Sequence, residues 1–521
     1  MKSKHWKFRI MAAFLVLAIV LTGCQPVGGL DLNKAFLNGL DVQSMEGRTE
    51  VSLHFDVDSA TMTDEQKTLL ALVKDMKFSL DSVKMQDQQT MSLKGTFTYG
   101  RGSIPFQMYL ADNKYYIQVE GLSKTLVYDP IAAIASTSGE TEADVLARIE
   151  AVQESTQEQI QVLTRKIAGY AITNLPNPMD VKLEQVQRTI NNEQLSLSKV
   201  SASVSGEEMP KLFVGFLKNV LADEQGLNQF LDELIDFVLL IQENIESTMT
   251  AEEKEQLSSQ GPLGMLKEDR ETAAMLLRTM VRGALQEMVN NASELDASQL
   301  TFLKAMNVKA SIYYDSNLLE RASEYEMTIT PPEGIETGGL KTFRIAINNE
   351  VWNMNKPVQA DVIDSSRGQL VMSSDLSARE VLGQFDPSSV AYKLLKEDLK
   401  VNRQMVVLFM NDEYSDGTTK PYIVEGNTYV PARFVSEQLK AEVTWNDEAK
   451  QATISDKFLG IDMILTIGSK TALVNGKAVE MEAEAQIKEG TTFVPVRFIA
   501  EQLGGTVDWD GDLGMITIVR E

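Results

Sequence analysis

Histidine and cysteine are nearly missing from this chain, with two and one among 521 residues. That scarcity removes whole classes of chemistry. His5 falls in a basic leader, which leaves His54 alone, on the polar side of an expected strand. One imidazole without a second thiol cannot build a three-histidine copper site, a Cys/His zinc site or a cysteine-protease pair. A Ser-His-Asp triad would have to use His54, and no G-x-S-x-G elbow accompanies it. The chain also lacks a Walker loop and a G-x-G-x-x-G turn at a strand–helix junction. Basic residues are outnumbered by acidic ones, 49 to 74, and the resulting net charge of −25 argues against nucleic acid and against broad adhesion to anionic lipid. With so many acids a carboxylate pair at glycosidase spacing is always available, so no pair is informative. Asp508-Trp509-Asp510-Gly511-Asp512 has the acids of a calcium loop. Leu513 stands where that loop needs glycine and Val519 where it needs glutamate, so the stretch reads as a turn. No cofactor, metal or catalytic residue is expected, and the chain reads as a non-enzyme.

What is present starts with the first 24 residues. Lys2, Lys4, Lys7 and Arg9 form a positive n-region, followed by an unbroken apolar run from Ile10 to Val20, too short for a comfortable membrane span. Leu21-Thr22-Gly23-Cys24 then resembles the bacterial lipobox. The resemblance implies a signal peptide over 1–23, cleavage before Cys24, and diacylglycerol on that thiol, with membrane attachment through the acyl chains. The competing reading is an ordinary secretory signal with a stray cysteine. Losing the four leader cations takes the net charge from −25 to −29, so anchoring must come from the acyl chains. Residues 24–30 form a short tether. With 43% hydrophobic residues and no long low-complexity tract, the remainder is globular, and its length suits two to four domains.

The end of the chain is duplicated. Gly426–Asn446 reads GNTYVPARFVSEQLKAEVTWN and Gly490–Asp510 reads GTTFVPVRFIAEQLGGTVDWD, at an offset of 64 residues that also relates Asn411 to Asn475. In each copy a valine before proline is pushed into extended geometry. Pro431 and Pro495 suit the first helical position, where no N–H is needed. Phe434, Val435 and Leu439, or Phe498, Ile499 and Leu503, form the apolar stripe of a short helix. Arg433 and Glu437, like Arg497 and Glu501, are one turn apart and can meet. Gly504-Gly505 ends the second helix as a C-cap prefers. Val443 with Trp445, and Val507 with Trp509, then alternate as half-buried strands, each followed by a β-branched run. Asn475-Gly476 predicts a hairpin turn. The unit is strand, helix, hairpin, with the helix on a small sheet.

This V-P-x-R-F pattern, with its E-Q-L helix and tryptophan strand, resembles the copper amine oxidase N-terminal-like domain over 401–521. The resemblance implies a peripheral stalk module, common on bacterial surface proteins and separate from the copper and quinone of the oxidases. It carries over no catalytic residue, and Pro431, Arg433, Phe434, Trp445, Pro495, Arg497, Phe498 and Trp509 are expected to be structural.

Residues 31–400 read as α+β: sheet, helices, sheet, as one domain or as two near 31–205 and 206–400. Val51, Leu53, Phe55 and Val57 alternate with polar residues, and further alternating runs up to Val119 continue as a meander. Helical spacing appears over Thr61–Met76, and over Thr141 to about Gly169 behind a capping box. Leu212–Leu221, Leu227–Ile245 and Glu268–Val289 are further helices. Phe230–Ile241, apolar nearly all round, is expected to be buried, and its three acids exclude a membrane span. Strands return at 308–314, 323–330 and 342–348. The fold class is therefore α+β, with a large antiparallel sheet plus helices followed by a small duplicated β/α domain.

These features predict a lipid-anchored, non-catalytic protein of the bacterial cell envelope. Its repeat pair would contact a cell-wall polymer or an envelope protein, without amine oxidase activity. The alternative is an extracytoplasmic carrier of a lipid or other apolar ligand, since a curved antiparallel sheet under helices is the architecture of several lipid-carrying envelope lipoproteins, and 24 methionines would suit an adaptable cavity. A carboxylate-based hydrolase is a third reading.

Overall fold

Alternation with period two, sustained through strand after strand, builds the larger part of the protein. The computed structural model describes residues 28–247, 269–293, 304–332, 338–364, 366–373, 376–410, 420–457, 460–511 and 513–520. The leader, Cys24, Asn411 and Asp512 lie outside the described residues. The chain divides into two compact units. One runs to Leu376 and takes in Gln384–Ala391; the other comprises Ser377–Gly383 and Tyr392–Glu521.

The first unit contains a twelve-stranded sheet. Its strands are β1 (Met45–Val57), β2 (Asp75–Met85), β3 (Met91–Tyr99), β4 (Gly102–Ala111), β5 (Lys114–Val119), β6 (Thr125–Tyr128), β7 (Asp180–Ile190), β8 (Glu193–Ser205), β9 (Met306–Tyr314), β10 (Glu320–Ile329), β11 (Leu340–Trp352) and β12 (Gln369–Val371). Their order is β12-β6-β5-β4-β3-β2-β1-β11-β10-β9-β8-β7, so β1 joins the early meander to the strands of the second half in one continuous sheet. All pairings are antiparallel except that of β12 with β6. Tight hairpins follow from sequence: Asp112-Asn113 and Asn191-Asn192 both have positive φ, which side chains of this type tolerate and type I′ turns require.

Helices follow the strands as α1 (Leu32–Gly39), α2 (Asp64–Val73), α3 (Pro130–Ser138), α4 (Glu142–Asn174), α5 (Met209–Ala222), α6 (Glu224–Ser247) and α7 (Arg270–Ser293). Thr141 caps α4 by accepting from the Asp144 N–H at 3.2 Å. The helix passes the expected end near Gly169 and stops at Asn174, two residues before Pro176. The expected Thr61–Met76 helix is only Asp64–Val73, because Asp75 already begins β2, and none of its residues is fully buried. Residues 230–241 of α6 are half-buried rather than enclosed, with Leu231 and Ile235 buried and Asp236 exposed. Three ion pairs join α7 to α6: Arg270–Asp236, Arg278–Asp232 and Arg282–Glu224. These acids explain why an otherwise apolar helix keeps one side open.

In the second unit α8 (Ala378–Leu382) precedes β13 (Gln404–Phe409), β14 (Tyr422–Val424), β15 (Asn427–Pro431), α9 (Ala432–Gln438), β16 (Glu442–Asn446) and β17 (Gln451–Asp456). Then come β18 (Ile461–Thr466), β19 (Thr471–Val474), β20 (Lys477–Glu480), β21 (Gln486–Lys488), β22 (Thr491–Pro495), α10 (Val496–Gln502), β23 (Gly505–Asp510) and β24 (Met515–Arg520). They form sheets β13-β24-β23, β14-β15-β22-β21 and β16-β17-β18-β19-β20. A large buried cluster fills the centre, with Val435, Leu439, Ile454, Met463, Ile499 and Leu503 all without solvent exposure.

Candidate functional site

The register of the large sheet assigns every strand residue to a face. Val51 lies opposite Ile347 and Phe78, Leu53 opposite Ile345 and Met76, and Phe55 opposite Phe343. The same face continues through Leu80, Leu93, Phe97, Phe106, Met108 and Ile117 on one side. On the other it runs through Tyr325, Met327, Val308, Ile312, Val200 and Leu183. The opposite face carries the charges. There Arg188 pairs with Glu324 at 2.6 Å and with Glu350 at 3.1 Å, and Arg48 reaches Glu350 at 2.6 Å. His54 is on this polar face, as expected, facing Arg344 across β11 and paired with Asp75.

The apolar face is covered unevenly. Across β8 and β9, α1 brings Leu32 and Ala35 onto Val200, Ile312 and Tyr314, and α5 brings Met209 onto Val204, Met306 and Val308. These residues are buried. From β11 through β1 to β5 the face stays half-buried at Phe343, Ile345, Leu53, Phe55, Leu80 and Met108, and Phe78 is 37% exposed. Aromatic rings dominate this stretch. Phe55 and Phe343 have centroids 4.6 Å apart, and Phe78 stacks with Phe106 at 5.3 Å. Gly95 makes that second contact possible: a Cβ there would come within 2.9 Å of the Phe106 ring and 2.1 Å of the Ser79 carbonyl oxygen. This is the least covered part of the apolar face, and contiguous exposed apolar surface is a general mark of interaction sites. A recess of about 510 Å³ lies between α4 and α6, with Leu163, Phe237 and Leu240 beside Lys166 and Glu233.

In the second unit the repeats form an internal pseudo-dimer. Strands β15 and β22 pair antiparallel with Val430 opposite Val494, two positions related by the 64-residue offset, so a pseudo-two-fold axis passes between them. The same axis relates the two helices and the β16–β17 and β23–β24 hairpins. With Ala432 and Val496 starting the helices, Pro431 and Pro495, expected as first helical residues, instead each end a strand and occupy the N-cap. Their ψ values of 114° and 127° are extended, because each proline still belongs to the central strand pair. Arg433 donates to Glu437 at 3.2 Å and to the Val443 carbonyl at 2.8 Å. Among the described residues the ion pair is present in the first copy, Arg433–Glu437, and none joins Arg497 to Glu501, against expectation. Phe498 is buried and Phe434 partly so, both on the central core. Trp445 and Trp509 are 37% and 47% exposed, at the outer ends of their strands, and the Trp445 indole N–H donates to Asp447 at 3.4 Å.

One buried constellation was not anticipated. Asp456 and Arg520, the last residues of β17 and β24, are themselves related by the 64-residue offset and are joined by a salt bridge, each side chain 1% exposed. Arg520 also donates to the Leu439 carbonyl, and Arg379 of α8 reaches the Asp456 carboxylate at 3.1 Å. Burial pulls the Arg520 guanidinium below its ordinary pKa, an effect opposed by the Asp456 bond. The signal lay in the alignment, where equivalent positions of otherwise similar repeats carry opposite charge. Among the described residues no group of three or more His, Cys, Asp or Glu side chains could hold a metal ion.

Comparison with known families matches residues 409–518 to the copper amine oxidase N-terminal domain, a non-catalytic domain. No curated protein matches the chain.

Proposed function

We propose that this is a non-catalytic, lipid-anchored envelope protein whose first unit holds an apolar, lipid-like ligand and whose repeat pair serves as a contact module. The observation that carries the ligand reading is the sheet face between β11 and β5, apolar in every register position named above, exposed at Phe78 and half-buried at Phe55 and Leu53. At roughly 25 cal/mol per Å² of apolar surface removed from water, covering even a few of these side chains is worth several kcal/mol. A small amphiphile provides such cover without a second folded partner. Anchoring is supported by the basic, apolar and Leu21-Thr22-Gly23-Cys24 stretches in sequence. Two or more acyl chains hold a protein stably at a membrane, which would keep the ligand face near a lipid source. The non-catalytic character of the matched domain and the single histidine of the mature chain support a binding role over an enzymatic one.

The test is mass spectrometry of the ectodomain from Gln25, purified without detergent. A lipid-like mass that comes away on denaturation is expected, and its loss in Phe78→Asp, with the fold intact by circular dichroism, would locate it. A folded ectodomain that carries and takes up no apolar compound would sink the ligand reading. The anchor has its own readout: Cys24→Ala should move the protein from the membrane to the soluble fraction.

A further inference from the structure

Among the described strand residues one acid lies on the apolar face, and a backbone irregularity puts it there. Along β10, Ala322, Glu324, Glu326 and Thr328 alternate onto the polar face. Strict alternation would place Glu320 with them. Instead the register slips between Glu320 and Ala322, so that Glu320 lies opposite Tyr314 while Ala322 lies opposite Tyr313. A one-residue slip sends a side chain to the other face, and bulges that re-aim a side chain are enriched beside functional sites. The Glu320 carboxyl therefore points to the side of Tyr314 and Tyr325, where it meets Ser323 and Asn349. Asn349 in turn accepts from the Thr49 hydroxyl at 2.9 Å. Thr49, Asn349 and Ser323 occupy one register row across β1, β11 and β10, directly beyond Val51, Ile347 and Tyr325. The face thus has a polar end, and its apolar body runs away from it toward Phe55 and Phe343.

The charge at that end is unbalanced. Glu324 and Glu350 on the polar face each have an arginine, whereas Glu320 has no cation among the described residues. Burial raises its pKa, partly offset by Ser323 and Asn349. Burying a carboxylate without a counter-charge is costly, and a bound donor or cation relieves that cost where an anion would add to it.

Building on the ligand reading above, we propose that Glu320 selects the ligand's head: an amphiphile with a hydrogen-bond-donating, non-anionic head at the Glu320–Ser323–Asn349 row and its chain along β11 and β1 toward Phe55 and Phe343. Amines and hydroxyls fit this end, with the Tyr325 ring beside an ammonium. Carboxylate and phosphate heads do not.

The probes are dodecylamine, monolauroylglycerol and laurate, three heads on comparable chains. They are titrated into the ectodomain below their micelle concentrations by displacement of an environment-sensitive fluorophore. The amine and the glyceride should bind at least about tenfold more tightly than laurate, a preference one relieved or opposed charge contact can supply. In Glu320→Gln the glyceride should keep its affinity, while the amine loses its advantage over laurate. Laurate binding as tightly as the amine in the unaltered protein would overturn the proposal while leaving the carrier reading standing, and that comparison needs no variant. An amine preference that survives Glu320→Gln would also overturn it. Failure of all three chains to bind would remove the carrier reading, and the proposal with it.

Discussion

Asp456 is a buried acid at the centre of an ion cluster. Two guanidiniums converge on it, and with both ends of the Arg520 pair 1% exposed, solvent does little to screen them. Removing one partner of such a pair leaves a buried charge uncompensated, at a cost of about 3–5 kcal/mol. Asp456→Asn is therefore expected to lower the unfolding free energy of the second unit by that order, read from urea titrations. The position also bears on pairing. Because Asp456 and Arg520 are equivalent across the pseudo-two-fold axis, two first repeats would bring Asp against Asp and two second repeats Arg against Arg. Opposite charges at equivalent sites disfavour like-with-like association and favour the pairing seen within the chain. The doubly swapped protein, Asp456→Arg with Arg520→Asp, should accordingly be more stable than either single change. Equal or greater loss in the double variant would show that the pair is not the determinant.

Among the elements, the two short helices of the repeats offer an internal control. Both stop in a left-handed residue after the C-cap: Gly504 with φ +75° and Lys440 with φ +63°. In the first copy the Lys440 N–H bonds the Glu437 carbonyl at 2.9 Å and the Ala441 N–H bonds the Ser436 carbonyl at 2.8 Å, a Schellman closure. A lysine in this conformation is strained by roughly 1–2 kcal/mol relative to glycine, part of which glycine returns as unfolded-state entropy. Lys440→Gly is expected to raise stability by about 0.5–1 kcal/mol, and Gly504→Lys to lower it by a similar amount. Thermal melts of the two variants would check both, and an opposite sign in either would mean that side-chain contacts outweigh the backbone. The Arg433–Glu437 contact on the helix surface of the first repeat, at more than half exposure on both side chains, adds little.

For the molecule as a whole, the perturbed acids pull stability in opposite directions with pH. Asp361 accepts from Lys84 at 2.8 Å and Lys94 at 3.0 Å, and those bonds hold its pKa below 3.8, so its contribution is present above that value and is lost in acid. Glu320 behaves in the reverse sense. Its folded pKa is raised above 4.5 by burial, so the native state keeps a proton that the unfolded chain releases, and stability falls as pH rises through the folded value. The groups acting on it are Ser323 and Asn349, with Tyr314 and Tyr325 as titratable neighbours; burial, then Glu320, pushes the Tyr325 phenol to about 12. Glu320→Gln should therefore gain on the unaltered protein as pH goes from 4 toward 8 in urea titrations. A difference constant with pH would show that Glu320 does not change protonation on unfolding.

Much of this protein was determined by local pattern. Alternation of Val51, Leu53, Phe55 and Val57 was enough to give β1 and the side of it that faces away from charge. Asp112-Asn113 and Asn475-Gly476 were enough to give hairpins, and a 64-residue repeat was enough to give two copies of strand, helix, hairpin. Each depends on a few neighbouring residues, where backbone preference and one buried face act directly. The non-local features were decided by tertiary structure. Nothing near β1 in sequence says that β11, some 290 residues later, closes against it to make one sheet of twelve. Nor does alternation disclose a bulge that moves Glu320 across the sheet, or the convergence of Asp456 with Arg520 and Arg379. Facing direction follows from period two only while the register holds, and charge pairing follows only once distant strands are side by side. The candidate sites of this protein are where those two conditions meet.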